Sequence, residues 1–186
     1  RALRAARRGI ELDRSNQRGW VQLAIACFFN RDEAGFLEAA DQALKLNPRD
    51  SNAIAWIGTM FAQKGEYDRG CALVERATDL NSAHPGWYHF THFNRHFARR
   101  EFAEALRAAR RVNVADFMWM HLAIAGAAGH LGLASDGRAA AERLAALAPP
   151  LADADRLREF LTIWYWDTDV VERLLEGVQR SKGASA

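Results

Sequence analysis

The segment GWYHFTHFNRHFARREF, Gly86 to Phe102, gathers three histidines, four phenylalanines, a tryptophan and a tyrosine into seventeen residues. On a helix His89, His92 and His96 are spaced by three and four residues and share one face. Three imidazoles so arranged could supply nitrogen ligands to zinc, or titrate together as a pH sensor. A tetrahedral site needs a fourth ligand and outer-shell partners, and a single helix rarely closes one. The three histidines are therefore expected to be structural, hydrogen-bonded where their helix packs on its partner, with metal binding or pH sensing as the alternative. Phe90, Phe93 and Phe97 form a neighbouring stripe about 100° round the same helix.

The remaining candidates for chemistry are weaker. Asp153 with Asp155, and Asp167 with Asp169, are paired acids, but they stand at expected helix starts, where a carboxylate caps free amides. There is no glycine-rich phosphate loop, dinucleotide fingerprint, HExxH, CxxC or GxSxG. Cys27 and Cys71 each fall inside a helical apolar pattern and read as buried thiols of a reducing, cytoplasmic compartment rather than a disulfide. No catalytic residue, metal or cofactor is assigned.

The elements that must position these residues follow from the rest of the chain. Its 186 residues are 49% hydrophobic, enough for one globular unit or a short repeat array. A net charge of +2, with acids interspersed among the arginines, gives no global field for nucleic acid or an anionic membrane. Arg1, Arg4 and Arg8 lie near one helical face and are read as solvated. The apolar run from Phe117 to Ala134 nearly reaches membrane-spanning length, but its histidines and glycines favour a buried helix. Without an initiator Met, and starting inside a helix, the chain is expected to be a piece of something longer.

Leu12, Leu46 and Leu80 recur every 34 residues, in IELDR, LKLNPRD and TDLNSAH. Asp13, Asn47 and Asn81 keep the same step. Each unit is expected to be a helix, a tight turn and a second helix, with a half repeat over 1–14, repeats over 17–50, 51–84, 85–116 and 118–151, and capping helices over 153–182. No stretch alternates with period two for long enough to be a strand. The reading is all-α: one domain over 1–186, a right-handed α-solenoid of antiparallel helix pairs with a C-terminal helical cap. Gly65 is expected to end a helix in the left-handed conformation, and Gly58 to let two helices approach.

The second unit, AIAWIGTMFAQKGEYDRGCALVERATDLN, resembles the tetratricopeptide repeat consensus. Ile57 and Gly58 form its apolar and small pair, Phe61 is its aromatic, Gly65 and Tyr67 mark its turn, and Ala77 lies in its second helix. Gly70 stands at the usual Ala position, Ser82 replaces the closing Pro, and the third unit's second helix is about three residues short. More narrowly, DLNSAHPGWYHF and DTDVVERLLEGVQR resemble the C-terminal repeat region of bacterial class III adenylate or guanylate cyclase homologues and related winged-helix regulators. That resemblance implies a regulatory or interaction arm whose catalytic or DNA-binding domain precedes the repeats, and it carries no catalytic residue onto this chain.

Tetratricopeptide geometry places first helices on a concave surface that holds a peptide or a helix. By register, the expected partner-binding residues are Asn52, Thr59, Gln63, Trp87, Phe90 and Asn94. The occupant is a protein or peptide, or another domain of the parent chain; a homodimer is a further option, and nucleic acid and membrane are not expected partners. Trp164, Tyr165 and Trp166, in TIWYWD, are expected either to bury against the preceding repeat or to leave an aromatic patch.

Overall fold

The computed structural model describes residues 2–183, so Arg1 of the N-terminal basic face lies outside the described residues. The chain runs as α1 (Ala2–Leu12), α2 (Gln17–Phe29), α3 (Glu33–Leu46), α4 (Ser51–Lys64), α5 (Tyr67–Leu80), α6 (His89–Ala98), α7 (Phe102–Arg111), α8 (Met118–Leu131), α9 (Ala134–Leu147), α10 (Ala154–Trp164) and α11 (Thr168–Gly183). Short 3-10 turns at Gly86–Tyr88 and Pro149–Ala152 lead into α6 and α10. Among the described residues there is no strand, and the all-α solenoid is the architecture observed.

Local chemistry explains where these helices start and stop. Asn16, Asp32, Asp50 and Asp153 each accept a hydrogen bond from the amide three residues on, Gly19, Gly35, Ala53 and Arg156, and so cap α2, α3, α4 and α10. Asp167 does the same for α11, accepting from the amides of Asp169 and Val170. In each acid pair the first member, Asp153 or Asp167, is thus the cap, and the second lies in the first turn of its helix. Gly65 (φ 106°) ends α4 in the left-handed region. Thirty-four residues earlier, at the same place in the preceding unit, Arg31 adopts φ 57°, and Arg100 adopts φ 62° after α6.

Packing follows the repeat: α2 lies on α3, α4 on α5, α6 on α7 and α8 on α9. Gly58 and Gly70 face each other across α4 and α5, and a β-carbon on Gly70 would stand 2.5 Å from the Gly58 carbonyl oxygen. This explains why glycine replaces alanine there: the backbones are already in contact. The second helix of the third unit, α7, has 10 residues against 14 in α5.

The C-terminal end departs from simple stacking. Helix α11 packs on α8 and α9, where the first helix of another unit would sit, with Gly126 and Gly129 against Gly177. Before it, the chain makes an excursion through α10. Leu157 and Leu161 of α10 join the core that contains Phe93, Phe97, Leu122 and Leu174. The apolar run Phe117 to Ala134 forms the buried α8, and among the described residues no helix is long and apolar enough to cross a membrane.

Candidate functional site

The first helices α2, α4, α6 and α8 present a common inner surface, and the chain's own C-terminal segment runs across part of it. Helix α10 ends at Trp164, and Tyr165 is extended (φ −105°, ψ 137°), as a bound peptide would be. The Tyr165 hydroxyl donates to Asn94 Oδ1 at 2.7 Å, 71 residues away in sequence. The Trp166 amide donates to the Gln63 carbonyl at 2.9 Å. Arg31 Nη2 donates to the carbonyl oxygens of Tyr165, at 2.8 Å, and of Thr162. The Tyr67 hydroxyl donates to Asp167 Oδ2 at 2.7 Å. Burial, with the Asp167 charge beside it, pushes the Tyr67 phenol well above its ordinary value, so it remains a donor.

Aromatic contacts complete the seat. The Trp166 ring stacks on Phe28 with centroids 5.4 Å apart, and the Arg31 guanidinium and the Lys64 ammonium lie 5.2 and 5.5 Å from its centroid. Lys64 is itself held by Glu33 and Glu66, at 2.7 and 2.8 Å. Trp164 meets Phe29 and Trp119 edge-on. The aromatic run is therefore packed against the repeats, Tyr165 buried and Trp164 and Trp166 half-buried, rather than left free as a patch. Arg31 supplies a physical account of its own unusual backbone: a left-handed turn aims its side chain at the segment it binds.

This arrangement separates the six residues that register assigned to a partner. Asn52 is exposed and Trp87 half-buried, whereas Thr59, Gln63, Phe90 and Asn94 are buried. The Thr59 hydroxyl is 2.9 Å from both the Thr91 hydroxyl and the Ala55 carbonyl. Phe90 stacks with Phe93 and abuts Trp119. Asn94 and the backbone of Gln63 are already bonded to the C-terminal segment. Of the six, only Asn52 and Trp87 therefore keep exposed surface, the other four being covered by neighbouring parts of the chain.

The accessible part of the groove lies toward the N-terminus. A cleft of about 660 Å³ opens between α2 and α4, bounded by Gln17, Arg18, Gln22, Ile25, Asn52 and Trp56. Trp56 is 42% exposed and lies 5.1 Å from Trp87, ring to ring. Trp56 escaped the register argument although the signal was present. It stands four residues after Asn52 on the same face, and Arg18 and Gln22 occupy the positions of Asn52 and Trp56 one repeat earlier. Amide side chains beside a half-exposed indole can bond a peptide backbone and cover an apolar side chain.

The histidine face is formed as spaced, on α6, but it is not a ligand set. The His89 and His92 rings are 6.4 Å apart, centroid to centroid, and His96 Nδ1 is bonded to Glu101 at 2.6 Å. Among the described residues no group of three or more His, Cys, Asp or Glu side chains is placed to hold a metal ion. Burial, then the positive neighbours Arg111 and Arg95, hold His89 and His92 down at about 4, so both are neutral at pH 7. Cys27 and Cys71 are free and buried, and burial pushes both thiols up to about 11.

No protein-family model matches the sequence, and no curated protein matches it. Solved structures do. The chain is similar to PilW, described as a widely conserved type IV pilus biogenesis factor, with 16% identity and a TM-score of 0.68 over 95% of this chain and 78% of that one. It is also similar to YrrB, described as a TPR protein with an unusual peptide-binding site, with 16% identity and a TM-score of 0.58 over 97% of this chain and 92% of that one. A third similar structure is the MamA protein, at 12% identity and a TM-score of 0.56 over 91% and 96% of the two chains. At such identities the likeness concerns the fold, and with the 34-residue period and the paired helices it establishes that this chain has the fold of a tetratricopeptide solenoid.

Proposed function

We propose that the chain is a non-catalytic interaction scaffold that binds an extended peptide in the open half of its groove, between α2 and α4. The observation that carries this reading is the chain's own Tyr165–Asp167 segment, seated further along the same surface by backbone and aromatic contacts. That segment illustrates the chemistry: a backbone carbonyl and a guanidinium at the groove wall, flat apolar rings, and an asparagine side chain accepting from a hydroxyl. The cleft at Asn52 and Trp56 offers the same kinds of group, with Arg18 and Gln22 beside them. Likeness to YrrB, described as having a peptide-binding site, agrees with this use of the fold.

The test is selection of peptides from a random library on the immobilised chain, followed by calorimetry of the selected peptides with the wild type, Trp56→Ala and Asn52→Ala. Loss of about tenfold or more in affinity in Trp56→Ala supports the reading, since an indole at an interface centre is worth about 1–3 kcal/mol. Failure to select any peptide, or selected peptides indifferent to both substitutions, overturns it.

A finer reading places this scaffold as the interaction arm of a bacterial, cytoplasmic signalling protein of the cyclase type, or of a winged-helix regulator. It is favoured by the segments DLNSAHPGWYHF and DTDVVERLLEGVQR, and the two reduced thiols agree with a cytoplasmic site. Sequencing the reading frame upstream of Arg1 tests it. A cyclase domain there supports the first form, a winged helix the second, and the presence of neither refutes both.

A further inference from the structure

We infer that the cavity bounded by α5, α6 and α7 is a binding site for a small tetrahedral oxyanion of the phosphate type. The cavity measures about 360 Å³. Arg95, His89, His92 and His96 enter it from α6, and Arg107 and Arg111 from α7. On α6 these histidines lie on roughly the opposite side from Phe90 and Asn94, at about 100° per residue. The site is thus separate from the peptide groove, and its existence does not depend on the function proposed there.

A buried guanidinium nitrogen without a partner singles this cavity out among the described residues. Nearby Arg99, Arg107 and Arg110 each hold a carboxylate, of Asp68, Glu104 and Asp136 respectively. Arg95 and Arg111 pair with no carboxylate among the described residues, and Arg95 Nε is buried without a hydrogen-bond partner. A buried guanidinium nitrogen left unbonded is costly, and an anion that enters the cavity would satisfy it. The guanidiniums of Arg95, Arg107 and Arg111 outnumber the carboxylates of Glu75 and Glu104 in the lining and leave it net positive, and the planar forks of Arg95 and Arg111 match the paired oxygens of a phosphoryl group. They also repel the divalent cation that three histidines might otherwise suggest.

The histidines make the site proton-linked. Facing them are Arg95 on their own helix, Glu104, Arg107 and Arg111 from α7, Glu75 from α5, His84 from the preceding loop, and Glu101, which holds His96. Burial and the neighbouring arginines keep His89 and His92 neutral at pH 7, each with one N–H to donate. A bound dianion opposes the surrounding positive charge and favours the imidazolium. If it restores one histidine from about 4 to its ordinary value, affinity rises about 30-fold between pH 8 and pH 5.

Calorimetry of the full chain with inorganic phosphate, glycerol 3-phosphate and sulfate tests the site. Sulfate remains a dianion across this range and isolates the protein's own titration. Saturable one-to-one binding is expected, weakened at least about tenfold in Arg111→Gln and unchanged in Arg100→Gln, an exposed arginine outside the cavity. Arg111 is exposed, so its replacement leaves the fold intact, and an unchanged melting temperature verifies this. Binding of inorganic phosphate alone identifies a free ion as the ligand class, whereas preference for glycerol 3-phosphate identifies the phosphoryl group of a larger molecule. Absence of saturable heat up to about 10 mM of any anion, or equal binding by Arg111→Gln and Arg100→Gln, overturns the inference. Sulfate affinity that stays flat from pH 8 to pH 5 overturns the proton linkage.

Discussion

The bond between Tyr165 and Asn94 offers a direct measure of how firmly the C-terminal segment is seated in the groove. Both side chains are buried, at 2% and 1% exposure, and among the described residues the Asn94 amide nitrogen has no partner and Tyr165 is the only residue bonded to the Asn94 side chain. Tyr165→Phe removes the hydroxyl and leaves the Asn94 carboxamide buried with neither end satisfied. The expected cost is about 2 kcal/mol, within the range for orphaning a buried polar group. Asn94→Leu orphans the tyrosine hydroxyl instead and should cost a similar amount. The double variant replaces both partners with apolar groups of similar shape, which is nearly neutral in comparable cases, so its cost should fall to about 1 kcal/mol or less. The three values form a double-mutant cycle with a coupling of about 3 kcal/mol. Urea unfolding reads them out: with a slope of about 2 kcal/mol per M, each single variant shifts the midpoint by about 1 M. Single variants that each cost less than about 0.5 kcal/mol, or a double variant whose cost is their sum, would refute the docking of this segment on α6.

Two further outcomes follow from neighbouring residues. Arg31→Gly and Arg100→Gly both relieve a left-handed residue at equivalent turns, but only Arg31 holds the carbonyls of Thr162 and Tyr165; Arg31→Gly should therefore be less stable than Arg100→Gly by about 1–2 kcal/mol in the same unfolding assay, and equal values would remove Arg31 from the seat. His89 and His92 have folded values lowered to about 4, below the unfolded value near 6.5, so the unfolded chain binds protons first and stability, complete above about pH 6.5, declines as pH falls toward 4. Melting temperatures in phosphate-free, low-salt buffer should fall less between pH 7 and pH 4.5 for the His89→Asn, His92→Asn double variant than for the wild type; parallel curves would show that neither ring is desolvated.

Much of the fold could be read from local pattern, because the signals are themselves local. The step from Leu12 to Leu46 to Leu80 records a repeated supersecondary unit, and a glycine at position 65 or an aspartate at position 50 acts within one turn of its own helix. Gly70, a departure from the consensus in sequence, becomes intelligible only across the contact with Gly58. Arg31 shows a different limit. Its place is that of Gly65 one repeat earlier, but an arginine does not announce a left-handed backbone, and the groups that reward it are 134 residues away at Tyr165.

Accessibility was the part of the site that local pattern could not carry. Spacing of 3.6 residues identifies which side chains share a face, and with the repeat register it assigns Asn52, Thr59, Gln63, Trp87, Phe90 and Asn94 to the inner surface. It contains no term for a segment returning from far along the chain, and TIWYWD could as well have been a free aromatic patch. The deciding physics is that of polar atoms in a dry place. A tyrosine buried to 2% exposure must find a partner for its hydroxyl, and the inner surface carries an asparagine at position 94 able to accept it. The property that marks Asn94 as a grip for a foreign peptide is the same one that seats the chain's own, and under the function proposed above a visiting peptide would take the cleft lined by Gln17, Arg18, Asn52 and Trp56.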